Sequence, residues 1–127
     1  MHINDISGAI VDAAVNIHDA LGPGLLESVY EVLLAHELKQ RRFVVERQVP
    51  VPIQYMGIRF DEGYRLDLLV EDQVIVEIKS VEQITAVHKK QVLTYLKLTS
   101  KQLGLLLNFN SDLMKHGITR LVNRLDE

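Results

Sequence analysis

The stretch Tyr64 to Ser80, Y-R-L-D-L-L-V-E-D-Q-V-I-V-E-I-K-S, constrains this chain more than any other. It reads as two strands joined by a short polar turn. Leu66, Leu68 and Val70 alternate along the first strand, and Val74, Val76 and Ile78 along the second. A turn at Glu71, Asp72 and Gln73 pairs Val70 with Val74. The same register sets Leu69 against Ile75, Asp67 against Glu77 and Arg65 against Lys79. Asp67 and Glu77 then face each other with Cβ atoms roughly 5 Å apart. Lys79, two residues on, shares their face.

Two carboxylates placed opposite each other repel unless they share a proton, a cation or a metal. Two acidic groups and one ammonium on a single face suit Mg²⁺-assisted phosphodiester hydrolysis. Oxygen ligands hold the ion, and the ion polarises the phosphoryl group and acidifies water. The lysine positions that water or offsets charge in the transition state. The same three residues equally suit an Asp–Lys–Glu ion-pair cluster that does no more than fix strand register. A two-residue slip would separate them.

At 127 residues the chain predicts one compact domain, residues 1–127, and 47% hydrophobic content is enough for a core. No apolar run approaches the roughly 20 residues of a membrane span. The first residues, M-H-I-N-D-I-S, lack the pattern of a secretory signal. Zero cysteines exclude disulfides, thiolate metal sites and a cysteine nucleophile, and they fit a cytoplasmic protein. The absence of tryptophan argues against a base-stacking platform, and a net charge of −3 argues against a general nucleic-acid binder.

Along the chain, Asp5 to Leu21 reads as an amphipathic helix carrying Ile6, Ile10, Ala13, Ala14, Ile17 and Leu21 on one face. Asn4 or Asp5 is the expected cap, and Gly22-Pro23 the stop. A second helix, about Leu25 to Arg41, has the stripe Leu26, Val29, Tyr30, Leu33, Leu34 and Leu38. Glu27 projects between Leu34 and Leu38, inside the margin of that stripe. It either serves a site there or caps its own helix N-terminus. Glu37 also falls on the apolar side, without a functional account. His18 and His36 have no partner at metal-ligand spacing and read as structural.

Phe43 to Tyr55 reads as an edge strand, because Pro50 and Pro52 remove donors from one side. Met56-Gly57 is a turn, and Glu62-Gly63 a bend or bulge ahead of the central hairpin. A helix follows from about Ile84 to Leu98, with Ile84, Val87, Tyr95, Leu98 and Gln91 expected inward. A buried glutamine there would satisfy backbone or reach the carboxylates. Lys89, Lys90, Lys97 and Lys101 form either a local basic patch or a solvated helix face. Leu103 to Phe109 reads as a strand buried on both sides. Asp112 to Gly117 is a short turn or helix, and Ile118 to Asn123 a strand or a helix end. The expected fold is α/β: an antiparallel three-strand meander, then a parallel strand after a right-handed crossover helix, flanked by helices.

The set Glu27, Asp67, Glu77, Lys79 and Gln91, in helix–meander–helix–strand order, resembles the PD-(D/E)xK nuclease superfamily. Within it, G-L-L-E-S-V-Y at Gly24 to Tyr30 is similar to the signature of the GxxExxY family. Y-R-L-D-L-L-V, V-I-V-E-I-K-S and Q-V-L-T-Y-L-K-L are similar to that family's later blocks, so the likeness runs from about Ile10 to Asn123. The resemblance implies a restriction-endonuclease-like core and a Mg²⁺- or Mn²⁺-dependent nuclease acting on nucleic acid, DNA above all. It implies Asp67 and Glu77 as metal ligands, Glu27 as an added acidic residue toward the metal, and Lys79 as the catalytic lysine. Gln91 corresponds to the helix residue that accompanies the site, with Tyr30 and Tyr95 in support. Leu66 stands where the superfamily name has proline. Two rival readings are a non-catalytic interaction module on the same scaffold and a subunit that needs a homodimer mate or accessory protein to complete its groove.

Overall fold

The chain alternates helical and extended segments in an order that builds one sheet between two helical layers. The computed structural model describes residues 1–124, and residues 125–127 of the expected domain lie outside the described residues. The elements are α1 (Ile3–Leu21), α2 (Glu27–Gln40), β1 (Val45–Tyr55), β2 (Ile58–Val70), β3 (Val74–Lys79), α3 (Ala86–Thr99), β4 (Leu103–Asn108), a 3-10 turn (Met114–Gly117) and β5 (Ile118–Val122). The five strands lie in sequence order. β3 and β4 run parallel on either side of the α3 crossover, and the other neighbours are antiparallel. The mixed α/β sheet is the one the sequence predicts. Ile118–Val122 pairs antiparallel with β4, so the undecided segment is a strand.

α1 and α2 cover one face, where Ile6, Ile10, Ile17, Tyr30, Leu34 and Leu38 pack on Leu68, Val70, Val76 and Ile78. α3 covers the other, with Val92, Tyr95 and Leu96 on Leu66, Leu69, Ile75 and Leu106. Each fully buried aliphatic side chain contributes about 1.5–3 kcal/mol relative to exposure, so the two clusters hold the layers together. Every residue of β4 is buried, as its apolar run predicts.

The cap of α1 is His2, whose ring accepts the Asn4 N–H, rather than Asn4 or Asp5. Gly22 ends the helix at φ +73. Of the α2 stripe, Tyr30, Leu34 and Leu38 are buried, but Leu26 and Val29 are exposed and Glu31 and Ala35 take the inward places. The helix begins two residues later than expected. Glu37 accepts Arg41, which also pairs with Asp12, so it ties α2 to α1. His18 is buried with Nε2 2.8 Å from the Ser111 carbonyl, a structural role.

β1 is an edge strand, as its prolines require. Tyr55 and Ile58 close the hairpin through Met56 and Gly57, both at positive φ. The bulge lies at Asp61–Gly63, three residues of β2 set against Pro52 alone. A Cβ on Gly63 would collide with Ile53 Cδ1 and Cγ1, which explains the glycine. β3 pairs with β2 only at Leu68 to Val70, so most of the β1–β2 hairpin stands free of the sheet as an arm. Its tip exposes Tyr55, Met56, Ile58 and Phe60.

Thr85 and His88 form a reciprocal capping box at the start of α3. Its inward face is Val92, Tyr95 and Leu96, whereas Val87, Leu98 and Gln91 point outward. The expected face was centred one position away, because each α3 turn offers apolar residues on two sides. Lys89, Lys90 and Lys97 are exposed, and Lys101 pairs with Asp72.

Candidate active site

The turn after β2 is built as its sequence suggests. Glu71 and Asp72 both take positive φ, and Gln73 N–H closes the turn on the Val70 carbonyl. The predicted register holds at Val70–Val74, Leu69–Ile75 and Leu68–Val76, and there the ladder stops. Asp67 and Glu77 are therefore not a ladder pair, and Arg65 does not oppose Lys79. Arg65 instead lies across from Pro50 and binds Glu62. The Asp67 carboxylate takes over from the backbone: Oδ2 accepts the Ile78 N–H at 2.8 Å. The expected facing also breaks at this residue. Leu68 and Val70 pack toward α1 and α2, but Leu66 joins Leu69 on the α3 side.

Glu77 lies on the α3 side of β3, 2 % exposed, and neither of its carboxyl oxygens has a hydrogen-bond partner. Burial raises its pKa to about 10; the neighbouring Asp67 charge pushes the same way and Lys79 partly opposes it. Lys79 stands half-buried on the same face. Tyr64 and Tyr95 stack beside this group with centroids 3.7 Å apart and planes 16° apart. Burial above all lifts the Tyr64 phenol well past its ordinary range, helped by its hydrogen bond to Tyr95 and by the Glu77 and Asp67 charges. Burial raises Tyr95 too. Both phenols stay protonated and can only donate or accept hydrogen bonds here.

Glu27 arrives from the other layer. It is the first residue of α2, exposed, and its Oε1 accepts the Ser80 N–H at 3.1 Å. It caps the end of β3 rather than its own helix. Ser80 Oγ returns a bond to the Leu25 carbonyl. The Tyr30 hydroxyl donates to the Gly22 carbonyl at 2.6 Å and accepts the Leu25 N–H, while its ring stacks on Phe109. Tyr30 thus holds the Gly22–Leu26 loop that delivers Glu27 to Ser80. A cleft of about 600 Å³ opens here, lined by Gly24 to Ser28, Ser80 and Asn110.

Asp67, Glu77 and Lys79 are brought together. Glu27 lies just past the end of the same strand, at the Ser80 N–H, and Gln91 is exposed on α3 one turn before Tyr95. Among the described residues no three carboxylate or imidazole groups converge on one point. A Mg²⁺-type ion uses one or two carboxylates and keeps several waters. A buried glutamate with both oxygens orphaned beside a second carboxylate fits such an ion, because a cation would supply the missing partner.

Three contributors escape the sequence reading. Tyr64 sits inside the quoted stretch but reads as a strand residue only. Asn108, buried at the end of β4, binds both the N–H and the carbonyl of Val81 through its side chain. Glu31 lies inward on α2 between Tyr30 and Leu34; its spacing from Leu34, Ala35 and Leu38 is the one available signal.

No helix among the described residues is long and apolar enough to cross a membrane. A search of curated proteins and a search of solved structures each find no match to this chain. A scan against protein-family models matches residues 4–121, nearly the whole chain, including both helical layers, the carboxylate pair and the lysine. The chain belongs to the PD-(D/E)XK nuclease superfamily.

Proposed function

We propose that residues 1–127 form a single divalent-metal-dependent nuclease domain of the GxxExxY type, hydrolysing DNA phosphodiester bonds in the cytoplasm. The observation that carries this reading is the buried Glu77, its two oxygens without partners, beside Asp67 and Lys79. Asp67 and Glu77 would hold Mg²⁺ or Mn²⁺, which supplies Lewis acidity toward the phosphoryl oxygen and toward water.

The chain's own groups do the rest. Asp67, fixed by the Ile78 N–H, presents its second oxygen at a set position. Glu77 holds a proton because burial and a like charge raise its pKa, and it would hold the ion in its deprotonated form. Lys79 orients the attacking water and offsets charge on the phosphoryl oxygens. Tyr64 and Tyr95 exclude bulk water on the α3 side and offer a hydroxyl to that water or to phosphate. Glu27 would be the added acidic residue at the strand end, and Gln91, exposed on α3, would meet the substrate rather than the carboxylates.

Calorimetry at neutral pH should detect Mn²⁺ binding to the wild type and none to Asp67→Ala. Cleavage of DNA should require the metal, and Lys79→Ala should lower its rate by about 10²-fold or more. A wild type that binds no Mn²⁺ would sink the reading. The exposed apolar tip of the β1–β2 arm favours a second reading, a nuclease subunit completed by a homodimer mate or accessory protein. Sedimentation alongside cleavage decides it: a fully active monomer removes that requirement.

A further inference from the structure

Glu31 is a buried carboxylate that the proposed chemistry does not use. It is 5 % exposed, on the sheet side of α2. Arg47 Nε and Nη2 donate to its Oε2 at 3.1 and 2.9 Å, and Gln48 Nε2 donates to its Oε1 at 2.7 Å. Arg47 and Gln48 are consecutive in β1. Consecutive strand residues point to opposite faces, so a regular strand cannot bring both to one carboxylate. The strand is irregular here: Gln48 has φ +54, in the left-handed region that non-glycine residues avoid.

The irregularity reaches across the sheet to Asp67. Arg47 pairs with Leu68 and Val49 with Leu66, so Gln48 stands opposite Asp67, and that pair is missing from the ladder. Both strands change face at this point. Val45 packs with the α1 and α2 cluster, whereas Val49 and Val51 pack on the α3 side. Leu68 and Leu66 differ in the same sense. The face change is what frees Asp67 from the ladder and lets its carboxylate reach the Ile78 N–H beside Glu77.

We infer that Glu31 is a positioning residue for the carboxylate pair. Its grip on Arg47 and Gln48 holds β1 in the face-reversed conformation, which sets where Asp67 stands. The inference rests on the metal-site reading for its functional consequence, but not for its structural one.

Two measurements on the metal-free and Mn²⁺-loaded protein test it: hydrogen-exchange protection of the Ile78 amide, and the Mn²⁺ dissociation constant by calorimetry. Glu31→Gln, which keeps an acceptor for Gln48 but loses the charge that holds Arg47, should lower Ile78 protection and weaken Mn²⁺ binding about 10–100-fold. Adding Gln48→Gly should restore both, because glycine adopts positive φ without the clamp. Gln48→Val leaves the Glu31–Arg47 pair intact at an exposed position and disfavours positive φ, so it should reproduce the loss. If Glu31→Gln does not fold, Gln48→Val decides alone. A folded Glu31→Gln with unchanged Ile78 protection overturns the inference, as does a loss that Gln48→Gly fails to reverse, or an unaffected Gln48→Val. A wild type that binds no Mn²⁺ while the Ile78 amide behaves as described removes the metal reading and leaves the positioning role standing.

Discussion

Glu77 binds its proton more tightly in the folded chain than in the unfolded one. Its pKa rises from 4.5 to about 10, through burial first and the Asp67 charge second. Between those values the folded state holds more protons, so stability falls as pH rises, by at most about 1.4 kcal/mol per pH unit. Melting of the metal-free protein should show a Tm that declines from about pH 5 to about pH 9, and Glu77→Gln should flatten that decline and raise Tm at the alkaline end. Mn²⁺ affinity should rise with pH over the same window, because binding displaces the proton. Tyr30 offers a second test. Tyr30→Phe leaves the Gly22 carbonyl and the Leu25 N–H without their partner, and should cost about 1–3 kcal/mol in chemical denaturation. Asp67, Glu77 and Lys79 were legible because alternation and a short turn put them near one another in sequence. Glu31 and Tyr64 were not, because their roles depend on a face change that period-two reasoning assumes away. Gln91 was misplaced for a plainer reason: α3 carries apolar residues on two sides, and only packing against the sheet selects Val92, Tyr95 and Leu96.

At the level of elements, the order of helices and strands, the edge position of β1, the parallel β3–β4 pair and the doubly buried β4 all follow from local sequence. The ladder between β2 and β3 is shorter than alternation suggests, because Asp67 replaces a backbone acceptor with its own side chain. The bulge at Asp61–Gly63 shapes the arm. Gly63→Ala would drive a methyl into Ile53. Its expected cost is about 1–3 kcal/mol, and Ile53→Val in the same chain should recover part of it, as measured by thermal unfolding. The arm's ion pairs, Arg59 with Asp61 and Arg65 with Glu62, are exposed, so water and salt screen them and they add little. The arm is therefore held by its backbone ladder and its apolar contacts.

At the scale of the whole molecule, the described residues leave apolar side chains uncovered at the arm tip, Tyr55, Met56, Ile58 and Phe60, Met56 being 83 % exposed, and on the outer α2 face, Leu26, Val29 and Val32. Apolar exposure of this kind supports the partnered reading proposed above. The wild type should show a sedimentation coefficient that rises with concentration, and Ile58→Ser with Phe60→Ser should abolish that rise while leaving Mn²⁺ affinity unchanged. Any grip on a polyanion must come from local Lys and Arg contacts against a net charge of −3, and such contacts should weaken with added salt as counterions rebind; cleavage rates compared at low and physiological ionic strength would show it.

The chain has four tyrosines and no tryptophan, and two of those tyrosines are the stacked pair beside the carboxylates. Near-ultraviolet emission from this protein is consequently tyrosine emission alone, and half of its sources stand beside Asp67 and Glu77, a built-in optical signal with no label to attach.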